Sequence, residues 1–198
     1  LGSAVKTASL LNVDNRIMYR AGVVARAAAA LHAARLAGAD HVVRVMAGVD
    51  DNFLHRLQVF DLLPEKTDEL IASLREDESC RGIELLRART PAQALEEAEI
   101  VVTATTSSRP VFEGKLLKEG MHINAIGAFT PEMQEVDEET IRRARIFVDS
   151  VEACLEEAGD LIIPLKKGLI QETDILAELG EVAAGKKTGR GSARPGGP

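Results

Sequence analysis

The stretch Ile100-Val101-Val102-Thr103-Ala104 decides the fold class. It is an uncharged run dominated by β-branched residues, which is typical of a central strand in a parallel sheet covered by helices on both faces. Shorter runs of the same kind precede and follow it, separated by segments with helical periodicity. We therefore predict an α/β fold, a Rossmann-type doubly wound parallel sheet.

The other predicted elements follow from the same alternation. Strands are expected at 16–19, 57–60, 83–86, 122–126 and 146–149, and helices at 23–36, 64–74, 91–98, 137–144, 151–158 and 174–183, with a short apolar segment at 161–163. Residues 41–46 also have the composition of a strand. The first half of a dinucleotide-binding sheet has no position for a strand between 16–19 and 57–60, so we interpret 38–56 as an insertion.

Length and composition set the domain organisation. The chain has 198 residues, of which 45% are hydrophobic, enough for one domain with a substantial core. We assign 12–150 to a dinucleotide-binding Rossmann domain and 151–184 to a C-terminal helical extension. Residues 185–198 are rich in Gly, Pro, Lys and Arg and contain no acidic residue, which predicts a disordered tail.

Charge and cysteine content exclude several classes of function. With 24 basic and 31 acidic residues the net charge is -7, which argues against nucleic-acid and membrane partners. No apolar run approaches the roughly 20 residues that span a bilayer. Cys80 and Cys154 are too far apart for a usual metal site, and the four histidines share no ligand spacing, so no metal is expected. We expect a cytoplasmic protein.

The first candidate site lies between the first predicted strand and helix. A dinucleotide fingerprint there has the form Gly-x-Gly-x-x-Gly/Ala, in which small residues let the backbone approach pyrophosphate. Gly22 and Ala25 match its last two positions, whereas Arg20 stands in place of the first glycine. An ordinary turn between a strand and a helix remains an equal interpretation.

The second and third candidates follow predicted strands. Asp61 comes at the carboxyl end of 57–60, where a carboxylate binds the adenosine ribose and selects NAD over NADP. The alternative is that Asp61 forms an Asx turn before Pro64. Residues 103–108 and 124–128 are the ends of two predicted strands with the loops that follow, and they suit a contact with ribose or nicotinamide, although ordinary polar loops are similar.

Six blocks in the second half of the chain carry a family resemblance. They are Glu99-Ile100-Val101-Val102-Thr103-Ala104-Thr105, Lys118-Glu119-Gly120-Met121-His122-Ile123-Asn124-Ala125-Ile126-Gly127, residues 131–137, Arg145-Ile146-Phe147-Val148-Asp149-Ser150, Glu157-Ala158-Gly159-Asp160-Leu161 and residues 177–185. In their order and spacing they resemble the ornithine cyclodeaminase/mu-crystallin family. Residues 21–26 and 59–66 are similar more loosely.

The resemblance implies an NAD(P)-dependent oxidoreductase, usually a homodimer, that exchanges hydride with the α-carbon of a small amino or imino acid. NAD is the expected cofactor, and NADP is possible. By position, Val23 and Val24 would contact pyrophosphate and Asp61 the ribose. The remaining implied contacts are Thr103 or Thr105 beside the cofactor, Ile126, Gly127 and Ala128 at the nicotinamide, Thr7 at the cofactor and Lys6 at the substrate carboxylate.

Two positions depart from the family pattern. Phe129 replaces the acidic general acid/base of cyclodeaminases, and Met133 replaces a lysine. No catalytic residue can therefore be assigned, and imine reduction or amino-acid dehydrogenation is favoured over cyclodeamination. The alternative is a non-catalytic mu-crystallin-like binding protein or a degenerate nucleotide-binding domain. By the same resemblance, the substrate and dimerisation domain is largely missing, and residues 1–11 are its remnant.

Overall fold

The computed structural model describes the backbone of residues 8–10, 44–49 and 54 and the complete residues 55–77 and 80–189. In this part of the chain eight strands form one sheet: β1 Ala8–Leu10, β2 Arg44–Val49, β3 Leu54–Phe60, β4 Glu84–Arg87, β5 Ile100–Thr103, β6 His122–Ala125, β7 Ile146–Val148 and β8 Ile175–Glu178. The helices are α1 Pro64–Glu76, α2 Pro91–Leu95, α3 Glu138–Arg143, α4 Val151–Glu157, α5 Gly159–Lys166 and α6 Leu179–Ala183, with 3-10 turns at Gly114–Leu116 and Glu172–Asp174.

The strands lie in the order β4-β3-β2-β5-β6-β1-β7-β8. β3 and β4, β5 and β6, and β7 and β8 pair in parallel, whereas β2 is antiparallel to β3 and β5, and β1 is antiparallel to β6 and β7. The six strands β3 to β8 therefore point the same way. Their last residues form one margin of the sheet, here called the carboxyl edge: Phe60, Arg87, Thr103, Ala125, Val148 and Glu178.

The predicted α/β class is confirmed, but the sheet is mixed rather than wholly parallel. The segment interpreted as an insertion contributes β2, which lies in the sheet between β3 and β5. Only a few residues connect β2 to β3, and so short a connection permits a hairpin but not a parallel crossover. Residues 38–56 are thus not wholly an insertion outside the sheet. The predicted strand at 16–19 and helix at 23–36 lie outside the described residues.

Helix α1 begins where the sequence predicts. Pro64 is at its start, and Leu70, Ile71 and Leu74 are buried along one face. The C-terminal prediction needs two corrections. The predicted helix at 174–183 is instead the end of a 3-10 turn, then β8 and then α6, because Ile175 and Ala177 pair with β7 in parallel. The apolar segment 161–163 is part of α5.

Residues on β5 contribute to both sides of the sheet. Ile100 and Val102 belong to an apolar cluster with the buried face of α1, whereas Val101 belongs to a second cluster with α2 and β6. Both faces of this strand are therefore covered, as its uniform composition predicts. Strands from the flanking segments 1–11 and 151–184 join this same sheet. None of the described helices is long and apolar enough to cross a membrane.

Candidate functional site

The chain reverses its path across the sheet between β2 and β5. From β2 it proceeds outward through β3 to β4, and then it returns to β5 on the other side of β2 and continues to β6. Ligands of open α/β sheets bind at the carboxyl ends of strands near such a switch point. Asp61 follows β3 on one side, and residues 103–105 and 126–128 lie at and after the ends of β5 and β6 on the other. Three strand spacings, about 14 Å, separate β3 from β6.

Asp61 is buried, with 5% of its surface exposed. Its Oδ1 accepts a hydrogen bond of 2.7 Å from the backbone amide of Leu63, which is the Asx turn considered as the alternative above. The turn fixes the orientation of the carboxyl group at the carboxyl edge. Leu62, between the two, is 84% exposed. The ribose contact of Asp61 remains a prediction, now with a defined local geometry.

Glu135 is the central side chain on the other side of the switch point. Its carboxyl group is completely buried and accepts hydrogen bonds at both oxygens. The Thr103 hydroxyl (2.9 Å) and the Gly127 amide (2.6 Å) donate to Oε2, and the Thr105 amide donates to Oε1. One side chain thus joins the end of β5 to the loop that follows β6.

The two loops also meet directly at Gly127. A Cβ atom at this position would collide with the backbone nitrogen and oxygen of Thr105 and with the Glu135 carboxyl group, so only glycine permits this approach. The Ile126 amide donates to the Thr103 carbonyl at 2.9 Å. The structure therefore brings together the predicted residues Thr103, Thr105, Ile126, Gly127 and Ala128.

The threonine side chains have internal partners. The Thr103 hydroxyl donates to Glu135, and the Thr105 hydroxyl accepts from the Ser107 amide at 3.1 Å. Both residues are nearly inaccessible, with exposures of 0% and 5%. A cofactor contact at these positions would therefore involve the backbone rather than the hydroxyl groups.

A second buried carboxyl group, that of Asp160, binds the backbone at Glu135. Asp160, in the first turn of α5, accepts hydrogen bonds at Oδ1 from the backbone amides of Glu135 (2.7 Å) and Val136 (2.9 Å). The preceding Gly159 packs against the carbonyls of Thr130, Pro131 and Met133, where a Cβ atom would collide. The loop after β6 consequently packs between the loop that follows β5 and the start of α5.

Burial changes the protonation of both acids. Loss of hydration, followed by the negative charge of Glu135, raises the pKa of Asp160 to about 7, against the opposing effect of its two amide donors. Burial likewise raises the pKa of Glu135, while the hydrogen bonds from Thr105, Gly127 and Thr103 lower it. The two groups interact through their charges and therefore titrate as a pair.

Glu135 is a site residue that sequence reasoning missed. The acidic residues at 135 and 137–139 have the pattern of a negatively charged helix start, which does not distinguish Glu135 from its neighbours. In the structure α3 begins at Glu138 with Asp137 as its N-cap, and Glu135 is buried before the helix. The one local signal is that the apolar Val136 interrupts the acidic run; the partners of Glu135 are too distant in sequence to be inferred.

The remaining predicted positions divide into two groups. Phe129, next to Ala128 after β6, is 44% exposed, and Met133 is half-buried. Lys6, Thr7, Gly22, Val23 and Val24 lie outside the described residues. Among residues 55–77 and 80–189, no three His, Cys, Asp or Glu side chains are grouped so that they could hold a metal ion.

The resemblance of the chain to known proteins agrees with this architecture. The model of the ornithine cyclodeaminase/mu-crystallin family matches residues 21–195. The chain belongs to this family. The match includes both sides of the switch point, Asp61 as well as Glu135.

Individual relatives cover parts of the chain. A Δ(1)-pyrroline-2-carboxylate reductase of Bacillus cereus is 50% identical over 101 residues, which are 50% of this chain and 31% of the relative. The reductase of the same name from Thermococcus litoralis, solved with NADH and L-proline, has 37% identity and a TM-score of 0.65, covering 71% of this chain and 42% of its own. An archaeal alanine dehydrogenase dimer with bound NAD has 33% identity and a TM-score of 0.61, covering 70% and 41%. The chain thus spans about a third of the length of the curated relative.

Proposed function

We propose that the chain is the dinucleotide-binding part of an NAD(P)-dependent oxidoreductase that exchanges hydride with the α-carbon of a small amino or imino acid. The observation that carries the proposal is the carboxyl edge. Six strand ends meet there, and Asp61 and the loops joined by Glu135 flank the switch point between β2 and β5. Relatives solved with NADH or NAD support the same cofactor.

The residues at the carboxyl edge have the chemistry that a dinucleotide requires. Asp61 would accept hydrogen bonds from the ribose hydroxyls and repel a 2′-phosphate, which favours NAD. The backbone of 103–105 and 126–128 would lie beside the nicotinamide, which supplies or accepts the hydride when it is bound. Gly22, Val23 and Val24 at the pyrophosphate, Thr7 at the cofactor and Lys6 at the substrate carboxylate complete the proposed site.

The side chains favour imine reduction over cyclodeamination. Phe129 presents an exposed apolar ring beside Ala128 and has no proton to exchange, whereas water activation in cyclodeamination needs an acid/base group. Hydride transfer depends more on orientation than on such a group. A small imino acid such as Δ(1)-pyrroline-2-carboxylate, the substrate named for two relatives, is therefore the proposed substrate class.

The assembly and the compartment are also proposals. The alanine dehydrogenase neighbour is a dimer, which supports a homodimer for the longer protein. Cys80 and Cys154 are both thiols, and Cys154 is buried, which is consistent with a reducing cytoplasm.

Fluorescence titration with NADH and NADPH tests the proposal. The wild-type chain should bind NADH in preference to NADPH. The matched variant is Asp61→Asn, because its amide oxygen can still accept the Leu63 amide while the charge is removed. We expect Asp61→Asn to weaken NADH binding and to reduce the preference over NADPH.

Three results would change the proposal. If the wild-type chain binds neither dinucleotide, the chain is a degenerate domain. If Asp61→Asn has the same preference as the wild type, Asp61 serves only the turn. If NADH binds but the longer protein does not oxidise it with Δ(1)-pyrroline-2-carboxylate, a binding protein is the better description.

A further inference from the structure

From the geometry around Glu135 we infer that it is a positioning residue for the cofactor. Its side chain fixes the β5 loop (residues 103–105) relative to the β6 loop (residues 126–128), in the arrangement in which the backbone of both loops contacts the dinucleotide. The inference rests on the proposed function. Its basis is the position of three donors, the Thr103 hydroxyl and the amides of Thr105 and Gly127, around a carboxyl group that has no access to solvent.

The contact requires an acceptor at both ends of the side-chain group. The Thr105 amide is directed at Oε1, and the Gly127 amide is directed at Oε2. A backbone amide only donates, so an NH₂ group at either end would leave one of these amides without its acceptor. The isosteric Glu135→Gln variant therefore breaks the connection between the loops in either orientation of its amide.

The two loops cannot shift to form another contact in place of the one that Glu135 makes. Gly127 lies so close to the Thr105 backbone that a Cβ atom would collide with it, and the Glu135 backbone is bound through its own amide to Asp160. The Glu135 carbonyl accepts from the Val111 amide at 2.8 Å, and the Gln134 amide donates to the Ser107 carbonyl at 2.8 Å. The backbone hydrogen bonds of Glu135 thus fix its own position, and its side-chain hydrogen bonds fix the positions of the two loops.

Asp137 offers a closely matched control. Its carboxyl group also receives two backbone amides and one threonine hydroxyl: Gly114 at 2.7 Å, the Thr140 amide at 2.8 Å and the Thr140 hydroxyl at 2.6 Å. The Thr140 bonds cap α3, and the Gly114 bond joins Asp137 to the 3-10 turn at Gly114–Leu116. None of them involves the β5 loop residues 103–105 or the β6 loop residues 126–128. Asp137→Asn therefore causes the same chemical change at a site that does not contact the proposed cofactor residues.

The experiment combines NADH titration with amide hydrogen exchange measured by NMR on the full chain. In Glu135→Gln, NADH binding should weaken about tenfold or more, because a buried amide loses its acceptor. The Thr105 or Gly127 amide should exchange faster than in the wild type. In Asp137→Asn the Gly114 or Thr140 amide should exchange faster, while the affinity for NADH stays near the wild-type value.

The outcomes separate this inference from the proposed function. No NADH binding by the wild type overturns both. Wild-type binding with unchanged affinity in Glu135→Gln overturns only the inference, as does an equal loss in Glu135→Gln and Asp137→Asn, which would reflect general loosening. If Glu135→Gln does not fold, the variant to test is Thr103→Val, which removes one donor to Glu135 and keeps the shape of the side chain. A roughly threefold weaker affinity for NADH supports the inference, and an unchanged affinity overturns it.

Discussion

The two sides of the switch point are held together in different ways. On the β3 side, Asp61 bonds to the amide of Leu63, two positions ahead. On the β5–β6 side, the partners of Glu135 are Gly127, Thr105 and Thr103, which lie 8, 30 and 32 positions away. The first arrangement is a local turn, whereas the second depends on the assembled sheet.

This difference implies unequal tolerance to change. The turn from Asp61 to Leu63 contains the exposed Leu62 and can relax toward solvent. The Glu135 side has no such freedom, because its loops pack against each other at Gly127 and against α5 at Gly159. Asp160, at the same contact, is a buried acid with a raised pKa. We expect substitutions on the β5–β6 side to lower the free energy of unfolding more than substitutions on the β3 side. We also expect them to change how this free energy depends on pH.

The largest effect is expected for Gly127→Ala. Its methyl group would collide with the Thr105 backbone, which cannot rotate away, so the free energy of unfolding should fall by about 3 kcal/mol or more. Gly180→Ala in α6 is the control, since the space around that position is open and alanine favours a helix. Urea unfolding of both variants measures the difference. A loss at Gly127 no larger than at Gly180 would show that the two loops are not held as closely as described.

The contrast also explains what could be predicted from the sequence. Strand β5, helix α1 and the Asx turn at Asp61 depend on residues within a few positions of each other, and their patterns are visible in the sequence. The antiparallel placement of β2 is not, because the same composition suits a strand of either direction. Nor is β8, which pairs with β7 nearly thirty residues away.

In the candidate site, too, some residues could be predicted from local sequence pattern and others could not. Residues 103–105 and 126–128 could be selected because they follow recognisable strands. Glu135 could not, because a carboxylate in an acidic run is usually solvated, and its burial results from contacts made only after the sheet forms. The family resemblance includes Asp160 in the block 157–161 without indicating that its side chain binds the backbone of 135–136.

The raised pKa of Asp160 should make the stability of the protein depend on pH. Because the folded pKa of Asp160 is about 7 and that of the unfolded chain is near 3.9, the folded state keeps a proton that the unfolded state has released. The free energy of unfolding should therefore be highest near pH 4 and fall as the pH rises to about 7, as far as this group determines it. Thermal unfolding between pH 4 and pH 8 measures the slope.

Asp160→Asn is the variant that tests the origin of this slope. Both amides donate to Oδ1, so the Asn oxygen can accept them while its NH₂ replaces the protonated oxygen. The slope should become smaller, and the variant should gain stability relative to the wild type above pH 7. Asp137→Asn, which leaves the buried pair intact, should retain the wild-type slope. A wild-type stability that rises from pH 4 to pH 7 and loses this rise in Asp160→Asn would contradict the assignment.

The smallest effect is expected at Asp61, where only a local turn is at stake. Asp61→Ala removes the acceptor of the Leu63 amide and should lower the free energy of unfolding by about 1 kcal/mol, a cost comparable to the loss of a helix N-cap. Asp61→Asn keeps the acceptor and should remain within a few tenths of the wild-type value. Urea unfolding distinguishes the two variants. Should Asp61→Asn lose as much stability as Asp61→Ala, the charge of Asp61 would be stabilising the fold itself, and the β3 side would depend on more than its turn.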